Sequence, residues 1–273
     1  MIGRGYLLRA AVAVVAAASL AAVVFGVRTA STARDATGVA AALAPVAVNG
    51  SIADDAVTAP QGVLPAASAL PPAQVPPAAG PDSGSPFAEW AGRVSPVTGV
   101  SARALVAYGA AQTTVTAEQP SCHLSWATLA GIANIESQHG TYQGRTLGAD
   151  GRSTPPIIGI PLDGGPKVRA IPDTDRGALD GDTVWDRAVG PFQFIPSTWA
   201  RWGADGDGDG RADPQDIDDA ALAAGRYLCA DGRDLATGDG WSRAILSYNN
   251  SAEYLQNVFD GADRYARSSV GVG

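Results

Sequence analysis

The chain has 273 residues, of which 46% are hydrophobic, and it carries a net charge of −8 with a pI near 4.7. Because an acidic chain is repelled by phosphate backbones, we expect no nucleic-acid partner. The two histidines, His123 and His139, are too few for a histidine-rich metal site.

The first 30 residues are predicted to form a membrane anchor or a signal segment. Residues 10–27 are an uncharged run of 18 residues, close to the length that spans a bilayer, and Arg4 and Arg9 precede this run. The arginines favour a cytoplasmic N terminus, which places the rest of the chain outside the cytoplasm. The cleavage signals are weak, so an uncleaved anchor is favoured, with a cleaved and secreted form as the alternative.

Residues 31–86 are rich in Ala, Pro, Val, Gly and Ser and are predicted to be a disordered linker. Such a segment buries too little apolar surface to offset the entropy lost on ordering. All six tryptophans follow it, so one folded domain is predicted at residues 87–267, with a flexible tail at 268–273. We expect a monomer, because nothing in the pattern indicates an obligate oligomer.

The predicted domain is mainly α-helical. Apolar periodicity predicts helices at residues 102–117, 125–139, 197–200, 220–228, 242–248 and 251–266. Residues 141–187 are an insert with many Gly, Pro and Asp, and so long an irregular stretch is usually functional. Within it, the β-like runs 157–160 and 168–171 are expected to pair as a hairpin.

Glu136 is the first candidate catalytic residue. It continues the apolar stripe of a predicted helix that begins after the N-cap Ser125 and stops at Gly140. Burial at such a position would raise the pKa of the carboxyl, which suits a general acid near neutral pH. The alternative is a glutamate on the solvated flank of the helix.

The two cysteines, Cys122 and Cys229, both lie in the predicted domain. Since the leading segment sends this domain to an oxidising compartment, one disulfide is the expected state, and two buried free thiols are the alternative. Closing a loop of about a hundred residues would contribute on the order of 4 kcal/mol in the chain-entropy model.

Residues 205–213 predict a calcium loop of the EF-hand type. The loop has carboxylates at positions 1, 3 and 5, a glycine at position 6 and a backbone carbonyl at position 7, which are Asp205, Asp207, Asp209, Gly210 and Arg211. We therefore expect one structural Ca²⁺. Position 12 is Asp216 and position 15 is Asp219, so the closing ligand is open between them. A solvated Asp-Gly turn without a cation is the competing interpretation.

Two further strings complete a pattern of four: AVGPFQFIPSTW at residues 188–199 and AILSYNNS at residues 244–251. With the Glu136-Ser137 pair and the calcium-type loop, their order and spacing resemble the lysozyme-like domain of lytic transglycosylases. The resemblance is to the membrane-bound lytic transglycosylase B family, in its actinobacterial form, and covers about residues 126–265. It implies a goose-type, soluble lytic transglycosylase-like helical fold with a small β-hairpin and an EF-hand-like loop.

The resemblance implies a role for five residues of this chain. Glu136 would be the single catalytic acid/base, with Ser137 as a helper beside it. Gln193 and Asn249 would hydrogen-bond N-acetyl and hydroxyl groups of the sugar. Tyr248 would pack against the sugar ring near the scissile bond. A backbone cap at Gln193 and an ordinary half-buried tyrosine at Tyr248 are the alternatives.

In the enlarged calcium loop of that family, the closing ligand corresponds to Asp219. Three aromatic residues of the 188–199 string are interpreted as core rather than as subsite walls, namely Phe192, Phe194 and Trp199.

The resemblance implies peptidoglycan glycan strands as the substrate and an extracytoplasmic site of action. Glu136 would protonate the β-1,4 oxygen between N-acetylmuramic acid and N-acetylglucosamine, and would then accept the proton of the muramic C6 hydroxyl as a 1,6-anhydro ring closes. Ordinary glycosidases use two carboxylates instead. An aspartate of the insert would serve as the second one in a muramidase, and the candidates are Asp173, Asp175, Asp180, Asp182 and Asp186.

Two non-enzymatic hypotheses stay open at this point. A catalytically silent wall-binding module would have no need for the acid at Glu136. A calcium-binding adhesion module would explain residues 205–213 but would leave the other three motifs without a role.

Overall fold

The computed structural model describes residues 84–165 and 168–272, and this part of the chain is mainly α-helical. The predicted anchor at residues 1–30 and the predicted linker as far as residue 83 lie outside the described residues. Within the described part, no helix has both the length and the apolarity needed to cross a bilayer.

Seven α-helices are present in the described residues: α1 Ala88–Thr98, α2 Ala102–Glu118, α3 Trp126–Ser137, α4 Pro196–Trp202, α5 Ile217–Leu228, α6 Gly238–Tyr248 and α7 Ala252–Ser268. Six of them lie where helices are predicted, and α1 is not among the predictions. Five begin after an N-cap whose side-chain oxygen accepts a backbone N–H, and these caps are Ser101, Ser125, Asp216, Thr237 and Ser251. Short 3-10 turns lie at Pro120–Cys122, Tyr142–Gly144 and Ala230–Gly232.

Helix α3 lies in the core, and ten of its 12 residues are buried. It packs against α2, α5 and α7, which explains why its sequence is apolar on nearly every face. Trp126 at its start meets Trp90 of α1 edge to face, with ring centroids 5.4 Å apart. Phe192, Phe194 and Trp199 belong to the same core, as interpreted from the sequence.

Helices α3 and α7 approach each other through glycine. A Cβ atom at Gly131 of α3 would lie 2.8 Å from the carbonyl oxygen of Val258 and 3.2 Å from Ala262 on α7. A Cβ at Gly261 would lie 3.5 Å from the Gly131 Cα atom. The short distance between the two backbones therefore depends on residues without side chains.

Two small antiparallel sheets lie in the insert and beside it. Strands β1 (Thr146–Leu147) and β2 (Ser153–Thr154) form one, and β3 (Ile158–Pro161) and β4 (Arg187–Val189) form the other.

The predicted pairing of residues 157–160 with 168–171 is wrong, although residue 170 forms an isolated bridge with Asp163. The partner of β3 is β4, with Ile158 opposite Val189. The backbone shows why: the Leu162 N–H donates to Asp186 O at 3.0 Å, and the Asp186 N–H donates to Ile171 O at 3.0 Å. The Ile171 N–H also donates to Leu162 O at 2.8 Å, so residues 170 and 171 pair with residues 163 and 162 rather than with 157–160.

The predicted disulfide joins Cys122, before α3, to Cys229, at the end of α5, across a sequence separation of 107. Where a flexible tail is predicted, residues 269–272 form hydrogen-bonded turns, and Arg93 Nε donates to Val272 O at 3.0 Å. Both ends of the described domain are therefore held in contact.

Replacing Gly131 by alanine is expected to lower the free energy of unfolding by about 1–2 kcal/mol, because overpacking against the α7 backbone outweighs the better helix propensity of alanine. Urea unfolding measures this. The matched control is Gly92→Ala on α1, where nothing lies within 4 Å of an added Cβ, and alanine should stabilise by up to about 1 kcal/mol. An equal gain at both positions would mean that the α3–α7 distance is not constrained.

Candidate active site

Glu136 lies in the last turn of α3 and is only 2% exposed, so its carboxyl is buried rather than on the solvated flank. The helix ends beyond it because three successive residues adopt positive φ angles: Gln138 at 51°, His139 at 58° and Gly140 at 85°. The N–H of His139 returns to Ala133 O at 3.0 Å, which is the bond of a left-handed helix cap. The carboxyl is therefore carried on a rigid, well-terminated helix.

Burial raises the pKa of Glu136 to about 8, because an apolar environment disfavours the charged form. A hydrogen bond from the Tyr254 hydroxyl to Glu136 Oε1, 2.5 Å long, acts in the opposite direction. The net result is a carboxyl that holds its proton at neutral pH, as a general acid must.

Tyr254 is the site residue that the sequence analysis missed. It lies in the first turn of α7, is 4% exposed, and follows the 244–251 string by three residues. A buried tyrosine needs a hydrogen-bond partner, and this requirement is the one sequence signal that points to it. The partner itself is 118 residues away and is not apparent from local pattern.

The string at residues 188–199 forms a tight loop followed by α4. Val189 and Phe194 form a bridge, and the Gln193 N–H donates to Gly190 O at 3.1 Å, so residues 190–193 are a four-residue connection. Gly190 has φ 76°, and a Cβ there would lie 1.6 Å from Pro214 O, so only glycine fits. Gln193 adopts φ 50°, an uncommon conformation for a residue with a side chain.

Ser137 and Tyr248 hold this loop in place. The Ser137 hydroxyl donates to Pro191 O at 2.7 Å and accepts the Gly140 N–H at 2.8 Å. The Tyr248 hydroxyl donates to Phe192 O at 2.7 Å. Both side chains are buried, at 1% and 2% exposure, and in this structure both contact the backbone of the loop.

Gln193 is also buried, and its Nε2 donates to Gly190 O at 3.0 Å. Its Oε1 lies beside β3, and a Cβ atom added at Gly159 of that strand would be 3.1 Å from this oxygen. Asn249 is half-buried at the C-cap of α6. Gln193 and Tyr248 both line a small pocket next to Thr198, whose hydroxyl has no hydrogen-bond partner among the described residues.

The aspartates of the insert are engaged in holding that segment together. All five accept backbone N–H groups, namely Asp173, Asp175, Asp180, Asp182 and Asp186. Asp186 is fully buried, where burial raises its pKa, and it accepts both the N–H and the hydroxyl of Thr174. Oxygen atoms of Asp173, Asp175 and Asp186 lie within 4.8 Å of one another, with every one of these carboxylates already bonded to the loop backbone.

The calcium-type loop brings its three carboxylates together. One oxygen from each of Asp205, Asp207 and Asp209 lies within 4.8 Å of the others. Loop N–H groups donate to all three side chains, as in the bond from Gly208 N to Asp205 Oδ1 at 2.7 Å. The loop is thereby folded with its acidic oxygens converging.

Asp219 and Asp216, the two candidates for the closing ligand, point to different places. Asp219 accepts the Gly206 N–H at 2.6 Å and the Asp213 N–H at 2.8 Å, so its carboxylate reaches into the loop. Asp216 accepts the Asp218 N–H as the N-cap of α5 and lies 3.8 Å from Arg152.

The model of one protein family matches this chain. It is described as the transglycosylase SLT domain, and it matches residues 173–242. The match indicates a peptidoglycan-cleaving enzyme. No curated protein and no solved structure matches the chain significantly.

The matched residues include Gln193, the calcium-type loop and Asp219, whereas Glu136 and Tyr248 lie outside them. They also include residues 173–187 of the insert. A mainly α-helical fold with only small sheets agrees with a lysozyme-like transglycosylase domain. Domains of this kind act on the cell wall, which suggests an extracytoplasmic site of action.

The buried carboxyl predicts how stability depends on pH. Folded Glu136 keeps its proton up to about pH 8, whereas the unfolded chain releases it near the ordinary value of 4.5. The folded state thus binds more protons between these values, and this group lowers stability as pH rises. The free energy of unfolding of the unmodified protein should therefore fall relative to that of Glu136→Gln as pH rises from 5 to 8. The difference should change by a few kcal/mol, at about 1.4 kcal/mol for each unit of pKa shift.

Urea unfolding of both proteins at a series of pH values measures this difference. Glu89→Gln, at an exposed position on α1, is the matched control and should follow the unmodified protein throughout. A difference between Glu136→Gln and the unmodified protein that does not vary with pH would contradict a raised pKa.

Proposed function

We propose that this chain is a lytic transglycosylase that cleaves the β-1,4 bond between N-acetylmuramic acid and N-acetylglucosamine and leaves 1,6-anhydromuramic ends. The observation that carries the proposal is the buried, protonated Glu136, which lies next to the loop that Ser137 and Tyr248 hold in place. That loop falls within the residues that match the transglycosylase model.

In the first step, Glu136 acts as the general acid. Because burial raises its pKa to about 8, it is mostly protonated at neutral pH and donates that proton to the glycosidic oxygen. The bond between this oxygen and muramic C1 breaks, and the N-acetylglucosamine unit leaves with the protonated oxygen as its free C4 hydroxyl. The acetamido group of the substrate stabilises the positive charge that develops at C1.

In the second step, the ionised Glu136 acts as the base. It removes the proton of the muramic C6 hydroxyl while O6 attacks C1 and closes the 1,6-anhydro ring. The proton given up in the first step is recovered, and no water is consumed. The five aspartates of the insert, whose carboxylates are bonded to their own loop, support a mechanism with one carboxylate.

The other site residues have supporting roles in this proposal. Ser137 and Tyr248 fix the backbone of residues 190–193, and Gln193 and Asn249 bind the acetamido and hydroxyl groups of the sugar. Such positioning contributes to rate by holding the reacting atoms in place.

We also propose that the domain works as a monomer outside the cytoplasm. The apolar run at residues 10–27 would tether it to the membrane, and the linker rich in Ala and Pro would let it reach the wall.

The product of the reaction tests the proposed function. The full chain, incubated with purified peptidoglycan and Ca²⁺, is expected to release fragments with 1,6-anhydromuramic ends, identified by mass spectrometry. Glu136→Gln should reduce release by about 10²–10⁴-fold, since it removes the acid/base group. Glu253→Gln, on the exposed face of α7, should release the same products at an unchanged rate.

Reducing muramic ends would show that water is the acceptor and would make the enzyme a muramidase. No release by the unmodified protein would contradict the catalytic assignment and would favour a wall-binding module.

We propose further that residues 205–219 bind one structural Ca²⁺. The donor set suits this hard cation, with carboxylates of Asp205, Asp207 and Asp209, the backbone carbonyl of Arg211, and Asp219 as the closing ligand. The ion would neutralise three converging negative charges and hold the loop in its folded form. It would have no part in the bond-breaking steps.

Calorimetric titration is expected to give one Ca²⁺ per chain, and at 100 times the Kd the ion should stabilise the fold by about 2.7 kcal/mol. Asp207→Asn should weaken binding strongly. Asp175→Asn, which alters the second acidic cluster, should leave binding unchanged. Loss of binding in Asp175→Asn alone would place the cation in the insert instead.

A further inference from the structure

We propose that Tyr254 is a positioning residue for Glu136: its hydroxyl holds Oε1 and thereby assigns the catalytic proton to Oε2. This inference rests on the proposed function, because it concerns the same carboxyl. It adds a residue outside the four sequence motifs, and it specifies which oxygen of the carboxyl gives and takes the proton.

The geometry of the contact carries this inference. The Tyr254 hydroxyl lies 2.5 Å from Glu136 Oε1, and both side chains are almost completely buried. Rigid elements set its position: the Tyr254 N–H donates to the N-cap Ser251, and α7 lies against α3 at Gly131. The hydroxyl is thus fixed relative to the carboxyl by the packing of two helices.

The direction of the hydrogen bond follows from chemistry. Burial raises the pKa of Tyr254 well above 10, so the phenol stays protonated and is available as a donor at every working pH. While Oε1 accepts this bond, the proton of the neutral acid lies on Oε2. After Glu136 has given up that proton, the same bond stabilises the carboxylate. Tyr254 therefore keeps its own proton in both steps.

The surroundings of the pair are neutral. The other titratable groups that act on it are two phenols, Tyr248 at the end of α6 and Tyr227 on α5. Their hydroxyls donate to the backbone carbonyls of Phe192 and Ser247. Among the described residues, no charged side chain contributes to the pKa shift of Glu136. Removing the Tyr254 hydroxyl therefore changes one hydrogen bond and no charge.

Tyr254→Phe tests the proposal with a readout that does not need activity. The chain contains four glutamates, Glu89, Glu118, Glu136 and Glu253, so carboxyl ¹³C NMR of the full chain labelled with [¹³C]glutamate gives few signals, and Glu136→Gln assigns the one of interest. Without the donor the charged form is less stable, so the titration midpoint of Glu136 should move to higher pH by about one unit.

The kinetic readout is the pH profile of glycan release. In Tyr254→Phe, the basic limb should move to higher pH, and kcat should fall by about 10-fold or more with KM little changed, because the proton is no longer confined to Oε2. Tyr265→Phe is the matched control: it removes a tyrosine hydroxyl from the same helix, where it bonds His139, and should change neither the midpoint nor the profile.

A fluorotyrosine at position 254 keeps the fold and makes the hydroxyl a stronger donor, so the midpoint should move to lower pH. An unchanged midpoint in both variants would overturn the proposal. So would a shifted midpoint with unchanged kcat, since the contact would then have no role in the reaction. If the unmodified protein released no glycan, the proposed function would fail, and the NMR midpoint would still decide whether Tyr254 holds the carboxyl.

Discussion

The close contact between α3 and α7 is the constraint on which the site depends. Gly131 lets the two backbones approach, and this approach places Tyr254 within hydrogen-bond distance of Glu136. A carboxylate buried in this way would be costly if it were charged and unpaired. Protonation removes most of that cost, so the packing that forms the core also produces the acid. In this protein, the stability of the domain and the raised pKa have the same physical origin.

The loop at residues 190–193 connects this carboxyl to the rest of the domain. Ser137, next to Glu136 on α3, and Tyr248, at the end of α6, each hold one of its carbonyls. Gly190 lies against Pro214, between the calcium-type loop and α5. A cation that ordered residues 205–213 would therefore support the segment on which the loop rests. In this arrangement, a structural ion of the kind proposed would affect the site without any contact with the reacting atoms.

Sequence pattern predicted those features that depend on neighbours along the chain. Ser125 and Ser251 mark the starts of α3 and α7, and the apolar stripe that Glu136 continues correctly indicated its burial. Helix α1 was not among the predictions, and it contains Pro96, a residue type that commonly ends a helix. The pairing of β3 was wrong because its partner, β4, lies more than twenty positions away along the chain, whereas residues 170 and 171 pair with residues 163 and 162. Tyr254 was missed for the same reason, since its role exists only through a distant partner.

Motifs also identify which residues come together more reliably than they identify what each side chain does. Tyr248 belongs to a string that suggested packing against the sugar, and Ser137 to a pair that suggested help beside the acid. In this structure the hydroxyls of both bond the backbone of the loop. The aspartates of the insert suggested a second carboxylate, yet every one of them accepts N–H groups of its own loop. What distinguishes Glu136 is that its hydrogen-bond partner is a phenol that leaves one oxygen to carry a proton. A buried carboxyl of this kind is suited to a reaction in which the proton it gives is the proton it takes back.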